Sequence, residues 1–391
     1  MFDVIISGAG PAGCKCAETI AKAGFKVALI EKNKDWRKPC GGAVSSRIFK
    51  YFPQLRKYDF HEINGASMYS SNGNKLDYSW KDIRETSINV DRLEFDNIIR
   101  NIAVDSGAEL YDKNVAFDFI YKDGSRIGIK TKVSGNLIDY LAPIIVIADG
   151  MSSKLVIRLD PKNKWQTKET YQAKCAIMEG DITLDKSKIT MFFQSYKGYG
   201  WIFPLKDNQF NLGCGTCNED NLKYNLNEIF NHFLENPLTK KILTAKSYKT
   251  VWMGSYSMPG QGVRENILYN DNLMVIGDAA GFISPISGEG IHPSVVSGEI
   301  AAETAINALQ EESFSKDNLK TYKFHPNIKK IIRNFKLKRS MVDFFFEENG
   351  KQLNNIFQLA SEDRNYKEEV INMFLFNRPL SRDFLLKLKL K

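Results

Sequence analysis

The stretch Asp3-Val-Ile-Ile-Ser-Gly8-Ala-Gly10-Pro-Ala-Gly13 opens the chain and decides its fold. A short apolar run, typical of a buried strand, leads into three glycines and then into a helix predicted over residues 12–23. Glycines at this spacing form a tight turn, let a pyrophosphate approach the backbone and let the helix pack on the strand. The start of that helix directs its amide groups at the phosphates. The stretch therefore predicts a dinucleotide-binding strand–turn–helix.

A second apolar run, residues 26–31, ends at Glu31, about 20 residues after the glycines, where dinucleotide-binding folds place an acid. A carboxylate at this position binds a ribose hydroxyl, and its charge disfavours a ribose that carries a phosphate. We therefore expect FAD or NAD in preference to NADP. The cofactor-binding residues predicted from this region are Gly8, Gly10, Ala12, Gly13 and Glu31.

Length and composition are those of a globular protein of two or three domains: 391 residues, 43% hydrophobic and 26% charged. No apolar run approaches the roughly 18–20 residues of a membrane span, and the first strand begins where a signal peptide would lie. We therefore expect a cytoplasmic protein, or one on the cytoplasmic face of a membrane. The net charge of +8 favours an anionic partner, but no nucleic-acid-binding module is recognisable, so we expect no nucleic acid.

Neither the cysteines nor the histidines predict a metal site. The six cysteines are scattered, and the pair Cys214-Gly-Thr-Cys217 ends a predicted strand with no second CxxC to accompany it. None of the four histidines occurs in HxxxH spacing. We interpret Cys214 and Cys217 as structural, with a redox or zinc role as the alternative.

Further segments indicate how the chain is organised. The apolar runs 143–148 and 272–277 are typical of parallel strands covered on both faces, so the nucleotide-binding sheet is assembled from dispersed pieces. Short alternating segments, such as 189–193 and 200–204, predict an antiparallel sheet, which a helix over 219–234 interrupts.

Two later motifs favour FAD over NAD. The first is Ala148-Asp149-Gly150, which follows a buried strand, and the second runs from Gly277-Asp278 to Gly288-Glu-Gly290-Ile291. Asp278 is placed to accept a hydrogen bond from a ribityl hydroxyl, and the glycines at 288 and 290 let backbone amides approach a flat ring. A helix predicted over 291–309 directs its positive end at that ring, where charge collects on reduction.

With these motifs in this order, the chain resembles the glutathione-reductase-like flavoproteins of the aromatic-hydroxylase type. More narrowly, it resembles the geranylgeranyl reductase family, whose archaeal members are similar to digeranylgeranylglycerophospholipid reductases. Lys38-Pro-Cys40-Gly-Gly-Ala43 is similar to the family's Cys-Gly-Gly segment, and Tyr199-Gly-Trp201-Ile-Phe203-Pro204 matches its YxWxFP motif. The resemblance spans residues 1–310. It departs at Leu205, where family members often carry a basic residue.

The resemblance implies a set of FAD contacts. These contacts are assigned by position in the matching motifs, together with the glycines of the loops at 8–13 and 288–290. They are Gly8, Gly10, Ala12, Gly13, Glu31, Cys40, Gly41, Ala43, Arg92, Val115, Asp278, Gly288, Gly290 and Ile291. Arg92 also has a rationale of its own, because it begins a predicted helix and a guanidinium there can bind a pyrophosphate. A surface salt bridge is the alternative interpretation of Arg92.

Together these signals predict an α/β fold, α+β overall, with a Rossmann-like FAD-binding domain built from separate segments. The expected division is residues 1–60, 86–157 and 255–312 for FAD binding, residues 61–85 and 158–254 for an antiparallel-sheet substrate domain, and residues 313–391 for a helical C-terminal region.

The resemblance also implies a reaction, the reduction of isolated carbon–carbon double bonds in the geranylgeranyl chain of an archaeal-type membrane phospholipid. Hydride comes from N5 of reduced FAD and a proton from a second group, for which Cys40, Tyr199 and a bound water are candidates. Alternation places Tyr199, Trp201 and Phe203 on one strand face, where they line an apolar tunnel for the isoprenoid lipid or belong to the plain core. There is no second GxGxxG, so we expect transient electron delivery by NAD(P)H or ferredoxin.

Rival functions share this fold. A FixC-like electron-transfer-flavoprotein:quinone oxidoreductase normally carries a cysteine-rich iron–sulfur ligand set, which this sequence lacks. FixC-like chains without a cluster of their own leave this alternative open. A flavin monooxygenase or halogenase has a related tryptophan motif, but Tyr199 stands where a halogenase has its first tryptophan. A prenyl-binding chaperone is disfavoured by the flavin-facing aspartate and glycines.

The C-terminal region is strongly basic. Residues 316–339 carry nine lysines or arginines against one acid, with isoleucines and a phenylalanine at helical spacing. This pattern predicts a basic amphipathic helix suited to an anionic membrane surface, and the leucine- and lysine-rich tail 385–391 repeats it. The alternative is a solvated helix that packs on the core.

Overall fold

The computed structural model describes residues 1–80, 86–180, 182–194, 196–218, 225–243, 248–376 and 378–388. The strands within them are β1 (Val4–Ser7), β2 (Val27–Ile30), β3 (Ala43–Ser45), β4 (His61–Ile63), β5 (Gly65–Tyr69), β6 (Lys75–Ser79), β7 (Ser87–Asn89), β8 (Glu109–Tyr111), β9 (Val115–Lys122), β10 (Ser125–Val133), β11 (Asn136–Leu141), β12 (Ile144–Ile147), β13 (Thr170–Gly180), β14 (Lys188–Phe193), β15 (Gly198–Pro204), β16 (Gln209–Cys217), β17 (Tyr248–Pro259), β18 (Tyr269–Asn270) and β19 (Leu273–Val275).

The helices are α1 (Pro11–Lys22), α2 (Ile48–Tyr51), α3 (Arg92–Asp105), α4 (Lys154–Leu159), α5 (Leu226–Glu235), α6 (Pro237–Ile242), α7 (Ile291–Gln310), α8 (Lys316–Phe324), α9 (Pro326–Glu362), α10 (Arg364–Leu375) and α11 (Arg382–Lys387). Short 3-10 helices occur at Pro53–Lys57, Pro161–Asn163, Thr167–Glu169 and Gly277–Ala280.

The glycine motif lies on a six-stranded sheet of order β18-β19-β12-β1-β2-β8. β1 pairs in parallel with both β2 and β12, and β12 pairs in parallel with β19. The four strands predicted to share one parallel sheet are therefore confirmed. The two edge strands, β8 and β18, were not predicted from the sequence. α1 packs against α3 and α7. This arrangement brings the carboxyl ends of β1, β2, β12 and β19 to one edge, where the motifs lie.

The predicted antiparallel sheet has seven strands in the order β17-β13-β16-β15-β14-β5-β6. Its neighbouring strands are antiparallel except β14 and β5, which are parallel. The mixed α/β class is confirmed, while the division of the chain into domains stays a proposal. The helix predicted over 219–234 falls partly on residues 219–224, outside the described residues. Its described part begins at Leu226, and α6 follows after Asn236.

The helical C-terminal region is present as α8 to α11. A single helix over 316–339 was predicted, and this is wrong: α8 ends at Phe324 and Pro326 begins α9, because proline has no N–H to donate within a continuing helix. α9 is itself interrupted at residues 347–350, where the backbone leaves the helical region.

The apolar side of α9 faces the protein core. Ile328, Ile332 and Phe335 are at most 7% exposed. Lys338, expected on the basic outer face, is instead fully buried, and its Nζ donates to the carbonyl of Met373 at 2.9 Å. The alternative of a helix that packs on the core therefore describes α9, and its apolar side is not available to a membrane. Across the described ranges, no helix combines the length and hydrophobicity that a membrane crossing requires.

Candidate active site

The turn between β1 and α1 has the geometry that its glycines predict. Gly8 adopts φ +106°, and a Cβ there would lie 2.4 Å from the carbonyl oxygen of Ala148. A Cβ on Gly13 would lie 1.9 Å from the carbonyl oxygen of Gly8, so glycine is required for α1 to pack on the turn. A Cβ on Gly10 would meet no described heavy atom within 4 Å, so this position faces open space.

Glu31 follows β2 and closes the glycine turn. Its Oε2 accepts a hydrogen bond from the N–H of Ala9 and its Oε1 one from the N–H of Asn33, both at 2.9 Å. A carboxylate oxygen has a second lone pair, so these bonds leave room for a ribose hydroxyl. Glu31 lines a cavity of about 290 Å³, here called the glycine-loop cavity. Its lining also includes Gly8, Gly10, Arg92, Val115 and Asp149.

A second cavity, of about 200 Å³, is lined by the seven-stranded sheet, by the connection from β19 to α7 and by C-terminal helices. Tyr199, Trp201 and Phe203 enter it from one face of β15, as alternation predicts, with successive ring centroids 5.9 and 6.1 Å apart. We call it the aromatic cavity. Its lining also includes Cys40, Gly41, Ala43, Asp278, Gly288, Gly290 and Ile291.

The two cavities adjoin. Pro11, Lys38, Arg92 and Tyr256 line both of them, so they are lobes of one cleft. Pro11 is the first residue of α1, which places the amide-rich start of that helix at the junction. Of the predicted cofactor contacts, only Ala12 and Gly13 line neither lobe; both belong to the buried first turn of α1.

Lys38 and Asp278 form an ion pair at this junction. Lys38 Nζ lies 2.5 Å from Asp278 Oδ2 and 5.1 Å from the centre of the Tyr256 ring. Burial opposes the charge of Lys38, but the Asp278 carboxylate and the Tyr256 hydroxyl together outweigh burial and hold the pKa of Lys38 above its ordinary value. Asp278, predicted to face the ribityl chain, thus has a cationic partner that the sequence did not predict.

Arg92 begins α3, as predicted, and is 5% exposed. Its Nε and Nη2 donate to the two carboxylate oxygens of Asp96, one turn later, at 3.1 and 2.8 Å. Burial opposes the guanidinium charge, while Asp96 holds the pKa of Arg92 above its ordinary value. The alternative of a surface salt bridge is wrong, because both partners are buried and Arg92 lines both lobes of the cleft.

Cys40 and Gly41 lie directly against the aromatic row. A Cβ on Gly41 would lie 2.8 Å from the ring of Phe203 and 3.2 Å from Trp201 Nε1. Cys40 Sγ accepts a hydrogen bond from the N–H of Gly42 at 3.4 Å. Because residue 41 is a glycine, its backbone can lie in contact with the rings of Trp201 and Phe203, and Cys40 is held next to them.

Tyr199 is less suited to donate a proton than the sequence implied. Its hydroxyl donates to the carbonyl of Ser287 at 2.5 Å, and burial raises the pKa of Tyr199 above its ordinary range. The same hydroxyl would lie 3.7 Å from a Cβ on Gly288, which adopts φ +66°. Tyr199 thus connects the aromatic row to the glycine loop that precedes α7.

Comparison with known proteins places the chain in a family. A model of the pyridine nucleotide-disulphide oxidoreductase family matches residues 2–181. The digeranylgeranylglycerophospholipid reductase of Methanocaldococcus jannaschii is 30% identical over 331 residues, which cover 82% of this chain and 81% of that protein. The chain belongs to the digeranylgeranylglycerophospholipid reductase family. Digeranylgeranylglycerophospholipid reductase 1 of Methanosphaera stadtmanae, 28% identical, matches over 99% of this chain and 96% of its own length.

Solved structures agree on the fold of this reductase-family chain. A geranylgeranyl bacteriochlorophyll reductase-like protein from Thermoplasma acidophilum superposes with a TM-score of 0.82 at 22% identity, covering 99% of this chain and 95% of that one. The flavin-dependent brominase Bmp2 superposes with a TM-score of 0.77 at 20% identity, over 99% and 97%. At these identities the likeness establishes the shared architecture, so it does not choose between reductase and halogenase.

In this family member the C-terminal helices supply a wall that sequence reasoning missed. The aromatic cavity is bounded by Val342, Phe345 and Phe346 of α9 and by Phe374, Leu375 and Phe376 at the end of α10. The run Phe344-Phe345-Phe346 was the signal available in the sequence. Leu205, the departure from the family pattern, is buried at 7% exposure and places no charge there.

The cleft has the polar groups that FAD requires. Asp149 Oδ1 is buried beside the glycine-loop cavity and has no hydrogen-bond partner among the described residues. Burial raises the pKa of Asp149 to about 7. An unpartnered carboxylate oxygen at the cavity that Gly10 also lines fits the sugar and phosphate half of a dinucleotide, and the apolar aromatic lobe fits its flat ring.

The cysteines of the reductase-family chain are free thiols, and Cys214 and Cys217 are buried in β16. Burial raises the pKa of Cys214 to about 12, which disfavours the reactive thiolate. Over the described ranges, no group of three or more histidine, cysteine or acidic side chains has the arrangement of a metal site.

Proposed function

We propose that this protein is an FAD-dependent reductase that saturates carbon–carbon double bonds in the geranylgeranyl chains of archaeal-type membrane phospholipids. The observation that carries the proposal is the two-lobed cleft, in which a glycine-loop cavity adjoins a cavity walled by aromatic rings. An apolar lobe of this kind suits a prenyl chain, which offers no group for hydrogen bonding. The names of the curated relatives, which are reductases of such lipids, support the same substrate class.

In this proposal different residues of the cleft bind different parts of FAD. Glu31 and Asp149 hold the adenosine ribose side, and the start of α1 with Arg92 holds the diphosphate. Asp278 accepts from the ribityl chain. The segments around Gly41 and from Gly288 to Ile291 hold the ring through their backbone, and the start of α7 stabilises negative charge on it.

Reduced FAD supplies hydride to one carbon of a double bond. The protein must then deliver a proton to the neighbouring carbon. We favour the Cys40 thiol for this role, because the competing Tyr199 hydroxyl already donates its hydrogen bond to the Ser287 carbonyl. Trp201 and Phe203 exclude water and hold the chain beside Cys40, with Gly41 as their contact.

Two partners complete the proposal. The electron donor is NAD(P)H or ferredoxin, bound transiently, and the lipid reaches the enzyme from a membrane. On α9 the exposed side chains include Lys329, Lys330 and Arg333, while the apolar side is buried. Peripheral association with an anionic membrane would therefore be electrostatic and sensitive to salt, without insertion of the helix.

The decisive experiment mixes anaerobically reduced enzyme with a geranylgeranylated glycerophospholipid and follows the lipid by mass spectrometry. We expect a gain of two hydrogen atoms for each double bond reduced, with stoichiometric oxidation of the flavin. A flavin that stays reduced in the presence of the lipid would contradict the proposal. Rapid oxidation by a quinone, or halide-dependent oxygen consumption, would instead favour the rival functions.

A further inference from the structure

The wall formed by β15 changes character along its length. Lys197 immediately precedes β15, two positions before Tyr199, and its side chain lines the same aromatic cavity as the three rings. The Lys197 side chain is 27% exposed, whereas Trp201 and Phe203 are 5% and 6% exposed. The row therefore begins with a cation near solvent and ends with buried rings against Gly41.

Lys197 is held at this rim by a neighbouring carboxylate. Its Nζ lies 2.6 Å from Asp343 Oδ1 on α9, and Asp343 Oδ2 lies 3.4 Å from Arg339 Nη1. Arg339 Nε also donates to Gln261 Oε1 at 2.8 Å. Lys197 and Arg339 keep the pKa of Asp343 below its ordinary value despite partial burial, so Asp343 stays ionised at neutral pH. Two cationic side chains thus face one carboxylate at the rim.

The other described cations that line the aromatic cavity lie elsewhere. Lys38 and Arg92 are at the junction with the glycine-loop cavity, where each is paired with a carboxylate that is 11% or less exposed. Lys197 does not line the glycine-loop cavity. It is the cation at the end of the row farthest from Gly41, which makes it available to a ligand that enters this lobe from solvent.

The function proposed above gives this arrangement a meaning, and the inference rests on it. We propose that Lys197 binds the anionic phosphoester head of the substrate while the prenyl chain lies along Tyr199, Trp201 and Phe203. An ammonium group binds phosphate as a point charge, and the phosphate competes with Asp343 for it. From Lys197, just before β15, to Phe203 an extended backbone spans about 20 Å at about 3.3 Å per residue, the scale of an extended geranylgeranyl chain.

The test measures binding of saturated lipids, which cannot be reduced, by the quenching of tryptophan fluorescence in the holoprotein. The three probes are diphytanylglyceryl phosphate, phytanyl diphosphate and the neutral diphytanylglycerol. We expect Lys197→Gln to weaken binding of the glyceryl phosphate about tenfold, the loss of one charged hydrogen bond, and to leave the neutral lipid unchanged. Lys197→Arg should restore most of the affinity. If Lys197→Gln also weakens binding of phytanyl diphosphate, the phosphate group itself is the ligand of Lys197. If it weakens binding of diphytanylglyceryl phosphate alone, the ligand is the glycerol-linked phosphate head.

The matched control is Lys249→Gln, because Lys249 lies on β17 of the same sheet and is paired with Glu179 at 3.1 Å, but does not line the cavity. Equal affinity of the wild type and Lys197→Gln for both phosphorylated probes would overturn the inference, as would an equal loss for the neutral lipid. Reduction of a geranylgeranylated lipid by the wild type tests the proposed function separately, since the binding measurement requires no turnover.

Discussion

Trp201 donates its indole N–H to Asn211 Oδ1 at 2.8 Å, and the same Asn211 side chain makes a second hydrogen bond. The amide nitrogen of Asn211 donates to the carbonyl of Cys40, also at 2.8 Å. Asn211 is 4% exposed and lies on β16, opposite Phe203 in the register of the sheet. One buried amide thus fixes the aromatic wall relative to the segment that carries Cys40.

Replacing Asn211 by leucine should destabilise the protein and misplace Cys40. Leucine has nearly the same size, but it leaves the Trp201 N–H and the Cys40 carbonyl without this partner, at a cost of about 1–3 kcal/mol. Urea unfolding of the holoprotein measures the loss. In the double variant with Trp201→Phe the cost should be smaller than the sum of the single costs, because the two residues share one bond. If the two losses of unfolding free energy were strictly additive, the hydrogen bond between Trp201 and Asn211 would contribute nothing to stability.

The strands and helices that surround this connection could be predicted, whereas the connection itself could not. The glycine spacing and the apolar runs fixed β1, α1, β2, β12 and β19, because local turn chemistry and burial on both faces leave clear sequence signals. Asn211 leaves none, since an asparagine within a strand of apolar residues indicates no particular partner. Its role depends on strand register across the sheet, which brings it to Cys40, 171 positions away in sequence.

Asp278→Asn should weaken FAD binding about 10- to 100-fold, the range expected for one hydrogen bond to a charged group. The substitution keeps the shape of the side chain but removes the carboxylate that balances Lys38 and that we propose accepts from the ribityl chain. Titration of the apoprotein with FAD, followed by flavin fluorescence, gives the dissociation constant. Asp59→Asn is the control, because Asp59 is 97% exposed and pairs with Lys206 at the surface. Wild-type affinity in Asp278→Asn would remove Asp278 from the cofactor site.

Trp201→Ala should impair turnover of long chains and leave FAD bound. The ring is buried in the wall of the aromatic cavity, and loss of such contact area costs about 1.5–3 kcal/mol, or about 10- to 100-fold in kcat/KM. The ratio of kcat/KM for a geranylgeranyl and a geranyl substrate measures the effect. Trp165→Ala is the control, since Trp165 is equally large and buried but packs under Arg264 outside both cavities. An unchanged ratio in Trp201→Ala would contradict the assignment of this wall to the chain.

In the C-terminal region the sequence predicts helices but not the surface against which they pack. Its helices were predicted from spacing and charge, but the same pattern fits a helix on a membrane and a helix on a core. Lys338 decides between them, because a lysine counted in the basic face lies wholly inside the protein against α10. Likewise, Phe345 and Phe374 become part of the cavity wall only through the packing of α9 and α10, which no local signal specifies.

Lys338 should make stability depend on pH. Burial lowers its pKa to about 7, with Glu289 supporting its charge and Arg47 opposing it. In the unfolded chain a lysine has a pKa of about 10.4. Between these values the unfolded state holds one more proton than the folded state, so this group makes stability rise with pH by up to about 1.4 kcal/mol per unit.

Lys338→Met removes this contribution. Relative to the wild type, the variant should be most stable near pH 6, where the wild type buries a charge, and should lose that relative advantage towards pH 9. Guanidinium unfolding midpoints of both proteins across this range measure the difference. Lys336→Met is the control, because Lys336 is 69% exposed and pairs with Glu265. If the wild-type and Lys338→Met curves ran parallel, the buried amine would carry the same charge in the folded and unfolded states, and its depressed pKa would be refuted.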